Sequence, residues 1–243
     1  MNYRITIAYD GTAYQGWQWQ DDKPTIQRAI SLALAKIAGA PVTIRGAGRT
    51  DSGVHAEGQV ASFRLAREWE GRRLRDAING NLPRDIRVLT AASVPDEFQA
   101  RFSARGKTYR YQLYTAEVMN PLLERYAWHY YWPLDRELLQ HTGRLLSGTH
   151  DFTAFTVTSC ETKTRVRTLT DFQLEVCGEL TRIYFSGDGF LRYMVRRMVS
   201  TLLALNRRGC RPASFDEIIA TLEQTRASML APAKGLTLMK VEY

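Results

Sequence analysis

Two similar α+β halves, joined near residue 105, are the fold that this sequence predicts, and three observations carry the prediction. The first ~95 residues change hydropathy period so as to give the order β-α-β-β-α-β, that of a ferredoxin-like unit. A second series of strand and helix patterns opens with GKTYRYQLY at residues 106–114. The 243 residues suffice for one large domain or two medium ones, and no low-complexity linker divides them. The expected class is therefore mixed α/β (α+β), with halves at 1–105 and 106–243 whose mixed or antiparallel sheets merge.

The elements follow from local pattern. Tyr3, Ile5, Ile7 and Tyr9 alternate onto one face, as in a strand. Pro24 then starts a helix in which Ile26, Ala29, Ile30, Ala33, Leu34 and Ile37 recur at spacings of 3 and 4, until Gly39 and Pro41 end it. Strands are expected at 42–46, 58–64 and 86–94, with a helix over 69–80 before the last of these. In the second half the pattern gives a helix from Asp135 to Leu146, strands across 165–176 and 180–187, and helices over 190–205 and 214–225. GLTLMKVEY supplies the final strand.

Composition narrows the function classes. A hydrophobic share of 44% and a charged share of 24% exclude a disordered or fibrous chain. No uncharged run approaches the ~18 to 20 residues of a membrane span. Arg4 and Asp10 interrupt the apolar start, so no signal-peptide core is present and a soluble cytoplasmic protein is expected. Lys and Arg number 33 against 25 Asp and Glu, a net charge of +8 that favours a polyanionic partner such as nucleic acid. Cys160, Cys177 and Cys210 have neither disulfide-framework nor zinc spacing and read as reduced, mostly buried thiols. His55, His129, His141 and His150 form no i, i+4 pair, so no metal site is expected.

Three segments hold the candidate chemistry. Residues 46–56, GAGRTDSGVHA, place Arg49 and Asp51 on a glycine-rich turn directly after a strand. The loop matches neither a dinucleotide fingerprint nor a phosphate loop, and no G-x-S-x-G elbow occurs in the chain. Asp51 reads either as a held catalytic carboxylate or as an acid that caps its own turn. Residues 101–111, RFSARGKTYRY, interleave four basic residues with Phe102, Tyr109 and Tyr111, a texture that suits unpaired RNA bases and equally an amphipathic strand. Residues 182–211 hold seven Arg and one Asp around an apolar helical stripe, with Arg192 and Arg196 one turn apart at its flank. An arginine drawn partly inside, as Arg196 is expected to be, needs a carboxylate partner, whereas Arg207, Arg208 and Arg211 read as solvated.

These residues resemble the tRNA pseudouridine synthase A family. GAGRTDSGVHA fills every fixed position of a G-x-G-R-T-D-x-G-V-H-A signature, and YDGTAYQGWQWQ, NLPRDI, FQARFSARGKTYRY, GTHDFTAF, GFLRYMVRRMV and APAKGLTLMKVEY follow the expected order. Tyr14 stands where Phe is common and Ala233 where a second Pro is usual, and Leu122 to Trp132 is poor in family landmarks. The resemblance implies a pseudouridine-synthase fold of two like halves around a central catalytic cleft, in a homodimer without cofactor or metal. It implies isomerisation of uridine to pseudouridine in the tRNA anticodon stem-loop, at tRNA positions 38, 39 and 40. Asp51 matches the catalytic aspartate, Tyr109 the substrate-contacting tyrosine, and Arg196 an arginine that pairs with the aspartate. Arg49 is placed to fill the stack that an extruded uridine vacates.

Two other readings compete. A carboxylate-dependent RNA N-glycosidase or nuclease would change the mass of its product, and nucleases of that sort usually surround a metal with several acids where this loop offers Asp51 alone. A non-catalytic RNA-binding module would be indifferent to Asp51.

Overall fold

Hydropathy alternation in the first nine residues becomes strand β1 (Asn2–Tyr9), with Tyr3, Ile5, Ile7 and Tyr9 buried on one face. The computed structural model describes residues 1–157, 162, 164–225 and 230–243, and the chain divides into two units. One is Met1–Arg105 with Thr237–Tyr243, the other Gly106–Leu236.

In the first unit β1 is followed by α1 (Ile26–Ala38), β2 (Arg45–Gly46), β3 (His55–Arg64), α2 (Gly71–Gly80) and β4 (Ile86–Val94). Strand order is β4-β1-β3, with β2 also on β3, and every one of these pairs is antiparallel, the ferredoxin-like order. Thr25 caps α1 by accepting from Arg28 N–H, and Gly39 ends it in the left-handed region at φ 69°. Ile26, Ile30, Ala33 and Leu34 are its buried stripe. The carboxylate of Glu70 caps α2 by accepting from the N–H groups of Arg72 and Arg73, which holds its pKa below the usual range. Asn79 at the other end of α2 exchanges both amide hydrogen bonds with the backbone of Val88, tying the helix to β4.

The strand expected at 42–46 shortens to two residues because Ile44 O accepts from the Gln27 side chain instead of from a neighbouring strand. β3 begins earlier than expected, at His55.

The second unit holds β5 (Gly106–Tyr114), β6 (Trp128–His129), α3 (Arg136–Arg144), β7 (Gly148–Asp151), β8 (Val166–Cys177), β9 (Leu180–Gly187), α4 (Met194–Arg207) and α5 (Phe215–Thr225). Its strand order is β5-β9-β8-β7, antiparallel throughout, and β6 lies parallel to β5. Tyr111, Leu113, Ile183 and Phe185 are its buried centre, joined by Met198, Val199 and Leu202 from α4. Phe172 of β8 lies where a Cβ on Gly143 would have to be, 2.0 Å from its ring, so α3 can settle on β8 only because residue 143 has no side chain. The helix expected from 190 starts four residues later, because Tyr193 adopts a left-handed conformation that α4 cannot extend back through.

β10 (Leu236–Glu242) starts in the second unit, but Thr237–Tyr243 lie with the first, where Thr237 and Leu238 pair in parallel with His55 and Ala56. The sequence reading assigns these residues to the second half. What draws them across is packing: Val241 and Tyr243 cover Ala47, Val60 and Ala100, and the Tyr243 hydroxyl donates to Ala100 O at 2.8 Å. Among the described cysteines, Cys177 is exposed at the end of β8 and Cys210 half-buried, so burial does not protect Cys177 as expected; Cys160 lies outside the described residues. No helix among the described residues is long and apolar enough to cross a membrane.

The approach of β10 to β3 is tight at one point. A Cβ on Gly58 would lie 2.2 Å from Met239 O, a backbone atom that cannot step aside alone. Gly58→Ala is expected to lower unfolding free energy in urea by about 1 to 3 kcal/mol. Gly80→Ala, at the open end of α2 where a Cβ meets nothing within 4 Å, is expected to leave stability unchanged or raise it by about 0.5 to 1 kcal/mol.

Candidate active site

The loop carrying Asp51 joins β2 to β3, and its path is dictated by a second stretch of chain, residues 9–17, that runs against it. Trp17 N–H donates to Thr50 O at 3.0 Å and Gly53 N–H to Tyr14 O at 3.2 Å. The Ser52 hydroxyl reaches Tyr14 O at 3.3 Å, and the Tyr9 and Thr50 hydroxyls share a buried hydrogen bond of 2.8 Å. Within the loop, Val54 N–H donates to Asp51 O at 3.1 Å, closing a turn in which Gly53 takes φ 77°.

Two glycines make this contact possible. A Cβ on Gly11 would lie 2.0 Å from Val54 O, and one on Gly16, whose φ is 83°, 2.5 Å from Thr50 O. Both obstacles are backbone. The Trp17 indole fills the space over Gly46, where a Cβ would come within 2.6 Å of the ring.

Residues 81–86 brace the clamp from behind. The Tyr14 hydroxyl donates to Asp85 Oδ1 at 2.8 Å, and Asp10 N–H donates to Asp85 O at 2.9 Å. Burial, then the Asp85 carboxylate, push the Tyr14 phenol well above its ordinary pKa. His55 Nδ1 lies 3.1 Å from Gly11 N and 3.2 Å from Asp10 Oδ1. Gly11 N–H donates to Nδ1, and Asp10 Oδ1 also takes two hydrogen bonds from Thr12. The outcome is a graded loop: Thr50 buried, Asp51 half-buried, Arg49 and Ser52 exposed.

The other candidate residues belong to the second unit. Tyr109 on β5 is 7% exposed and meets the Phe190 ring edge-on at 5.1 Å. Tyr111, on the same face, is wholly buried and donates to Pro232 O at 2.8 Å, so it is a core residue and offers no surface for a base. Burial raises the pKa of its phenol, an effect that the nearby Arg196 guanidinium opposes. Arg196 is half-buried, as expected, and its Nε donates to Ala231 O at 2.7 Å. Arg207, Arg208 and Arg211 are exposed. Asp51 and Arg49 therefore share one loop of the first unit, while Tyr109 and Arg196 lie in the second. Among the described residues, no group of three or more His, Cys, Asp or Glu is arranged to hold a metal ion.

A family model described as tRNA pseudouridine synthase matches residues 5–103 and 144–243. A tRNA pseudouridine synthase A of Syntrophotalea carbinolica is 40% identical over 240 residues, spanning 99% of this chain and 95% of the relative. The tRNA pseudouridine synthase A 2 of Clostridium perfringens is 39% identical over 242 residues, spanning 100% and 99%. The chain belongs to the tRNA pseudouridine synthase family.

Pseudouridine synthases are isomerases, and the chain is one. Asp51, Arg49 and Arg196 fall inside the family match, and Tyr109 falls between its two stretches. The geometry adds residues that sequence reasoning passed over. Tyr14, Asp85 and His55 hold the loop, and the paired glycines of Y-D-G-T-A-Y-Q-G-W were the available signal for a close backbone crossing. Tyr193 was not legible, because nothing in a sequence marks a tyrosine for φ 64°. Holding a side chain there costs on the order of 1 to 3 kcal/mol.

The clamp has a pH signature. Burial pushes the Tyr9 phenol from 10.0 up to about 12, against smaller opposing hydrogen bonds from Thr50 and Gln59. A group whose pKa is raised on folding stabilises the fold fully below its unfolded value and loses that contribution as pH rises towards the folded one. Between pH 10 and about 12 Tyr9 alone is expected to lower stability by about 1.4 kcal/mol per pH unit. Urea midpoints measured from pH 9 upward check this, and Tyr9→Phe should show a correspondingly shallower alkaline decline.

Proposed function

We propose that this enzyme isomerises uridine to pseudouridine in the anticodon stem-loop of tRNA, at tRNA positions 38, 39 and 40, with Asp51 as its catalytic carboxylate. The observation that carries the reading is the clamp on the Asp51 loop: a turn that served only its own backbone would not need four hydrogen bonds to residues 9–17 and two glycines there that admit no side chain.

The reaction breaks the C1′–N1 glycosidic bond, turns the uracil and joins C1′ to C5, after which the C5 proton leaves and the freed N1 takes up a proton. Substrate and product then have the same atoms. A carboxylate assists by adding covalently, by stabilising positive charge at the sugar or by removing a sugar proton, and each role needs it ionised. In the family that the chain resembles an arginine at the position of Arg196 pairs with the catalytic aspartate, and an opposite charge of that kind favours the ionised form. A uridine inside a stem must first leave the stack, at a cost of a few kcal/mol, and exposed Arg49 occupies the space vacated. Tyr109 covers one face of the base and offers its hydroxyl for the C5 proton. The +8 net charge and the exposed arginines at the end of α4 support a polyanionic substrate. The family resemblance supports a homodimer in the cytoplasm that needs no cofactor.

Asp51→Asn preserves side-chain size and removes the charge. It is expected to bind tRNA as the wild type does while single-turnover formation of pseudouridine, read by nucleoside chromatography, falls ~10²-fold or more. A rate within ~10-fold of wild type would reject the assignment. A change in tRNA mass during turnover would favour hydrolysis over isomerisation.

A further inference from the structure

Among the described residues, Tyr193 is the one non-glycine with positive φ, at φ 64° and ψ 0°, and it stands immediately before the first turn of α4. A bulky residue in that region is strained, so its surroundings must impose the conformation. They do so from four directions. Met194 N–H donates to Leu191 O at 3.1 Å, and Arg197 N–H donates to Tyr193 O at 2.9 Å. The buried Thr156 hydroxyl donates to Arg192 O at 3.0 Å, and Leu191 N–H reaches the Met194 sulfur at 3.5 Å.

The strain has a visible result. It turns the tyrosine ring towards both arginines of this helix entry. The Arg196 guanidinium carbon stands 5.7 Å from the ring centroid and that of Arg192 at 4.8 Å. Arg192 also donates from Nη2 to the Tyr193 hydroxyl at 2.9 Å, which fixes the ring from its outer end. On Arg196 the Nε–H is committed to Ala231 O, so the backbone anchors one edge of the guanidinium and the Tyr193 ring bounds another side.

We propose that Tyr193 is a positioning residue, whose strained turn and aromatic ring hold the Arg196 guanidinium in the orientation that the reaction uses. The inference rests on the role given to Arg196 above. A glycine would adopt φ 64° without strain and would build the same turn more cheaply, so the turn alone does not explain a tyrosine here. The ring does.

Single-turnover pseudouridine formation with enzyme in excess separates the two roles. Tyr193→Gly keeps the turn and removes the ring; a purely structural role predicts wild-type turnover, whereas positioning predicts a loss of ~10- to 100-fold in rate with tRNA affinity unchanged. Melting at or above the wild-type temperature would accompany that loss. Tyr193→Phe, which restores the ring, is expected to recover the rate to within ~3-fold of wild type. In an Arg196→Met background, Tyr193→Gly should cost nothing further, because residues that act through one another are not additive. Wild-type turnover by Tyr193→Gly beside an inactive Arg196→Met would overturn this inference alone, as would full additivity in the double variant. Wild-type turnover by Arg196→Met would overturn the reading of Arg196 and this inference with it.

Discussion

The crossing of residues 9–17 over the Asp51 loop is the constraint on which the first unit's chemistry depends. At Gly11 and Gly16 the two stretches approach so closely that a β-carbon on either would overlap a carbonyl group of the other. Such contact strips water from the loop's polar backbone, and each N–H and C=O so buried must find a partner or cost ~1 to 3 kcal/mol. The crossing supplies those partners itself, from Trp17, Gly53 and Tyr14. The loop is consequently an extension of the β1–β3 pair rather than a tip above it, and a carboxylate mounted on it inherits the rigidity of the sheet.

The second unit fixes its residues by different means. Tyr109 takes its direction from strand alternation: β5 sends residues 109, 111 and 113 to one side, where Tyr111 and Leu113 are locked in the core. Arg196 takes its direction from the way α4 begins. A helix can begin at Met194 only because residue 193 breaks the helical path, and that break brings a ring beside the guanidinium. In each unit local backbone geometry decides where the candidate side chains stand.

Periodic elements were legible from sequence because their signal is spread over many residues. The alternation of β1, the stripe of α1 between Pro24 and Gly39, and the limits of β4 and β5 follow from spacing alone. β6, with two residues, and β7, with four, are too short to display a period. The partner of β10 was illegible for another reason: its pairing with β3 joins residues about three quarters of the chain apart, and the fit of Val241 and Tyr243 over Ala47, Val60 and Ala100 accompanies it. The candidate residues divide in the same way. Asp51, Arg49, Tyr109 and Arg196 are candidates that motifs suggest, whereas the Tyr14–Asp85 hydrogen bond and the backbone of Tyr193 are features that no local pattern encodes. Tyr111 shows the reverse failure, since its aromatic and basic neighbours in sequence suggested a base-stacking surface and its burial removes it.

The crossing holds the Asp51 loop rather than merely passing near it. Hydrogen exchange of the Trp17 and Gly53 amides tests this most directly, because those two protons are the bonds of the clamp. If the account holds, both exchange as slowly as the amides of the β1–β3 ladder, by opening of the whole unit. Exchange of both at the rate of exposed loop amides, while the ladder stays protected, would contradict it.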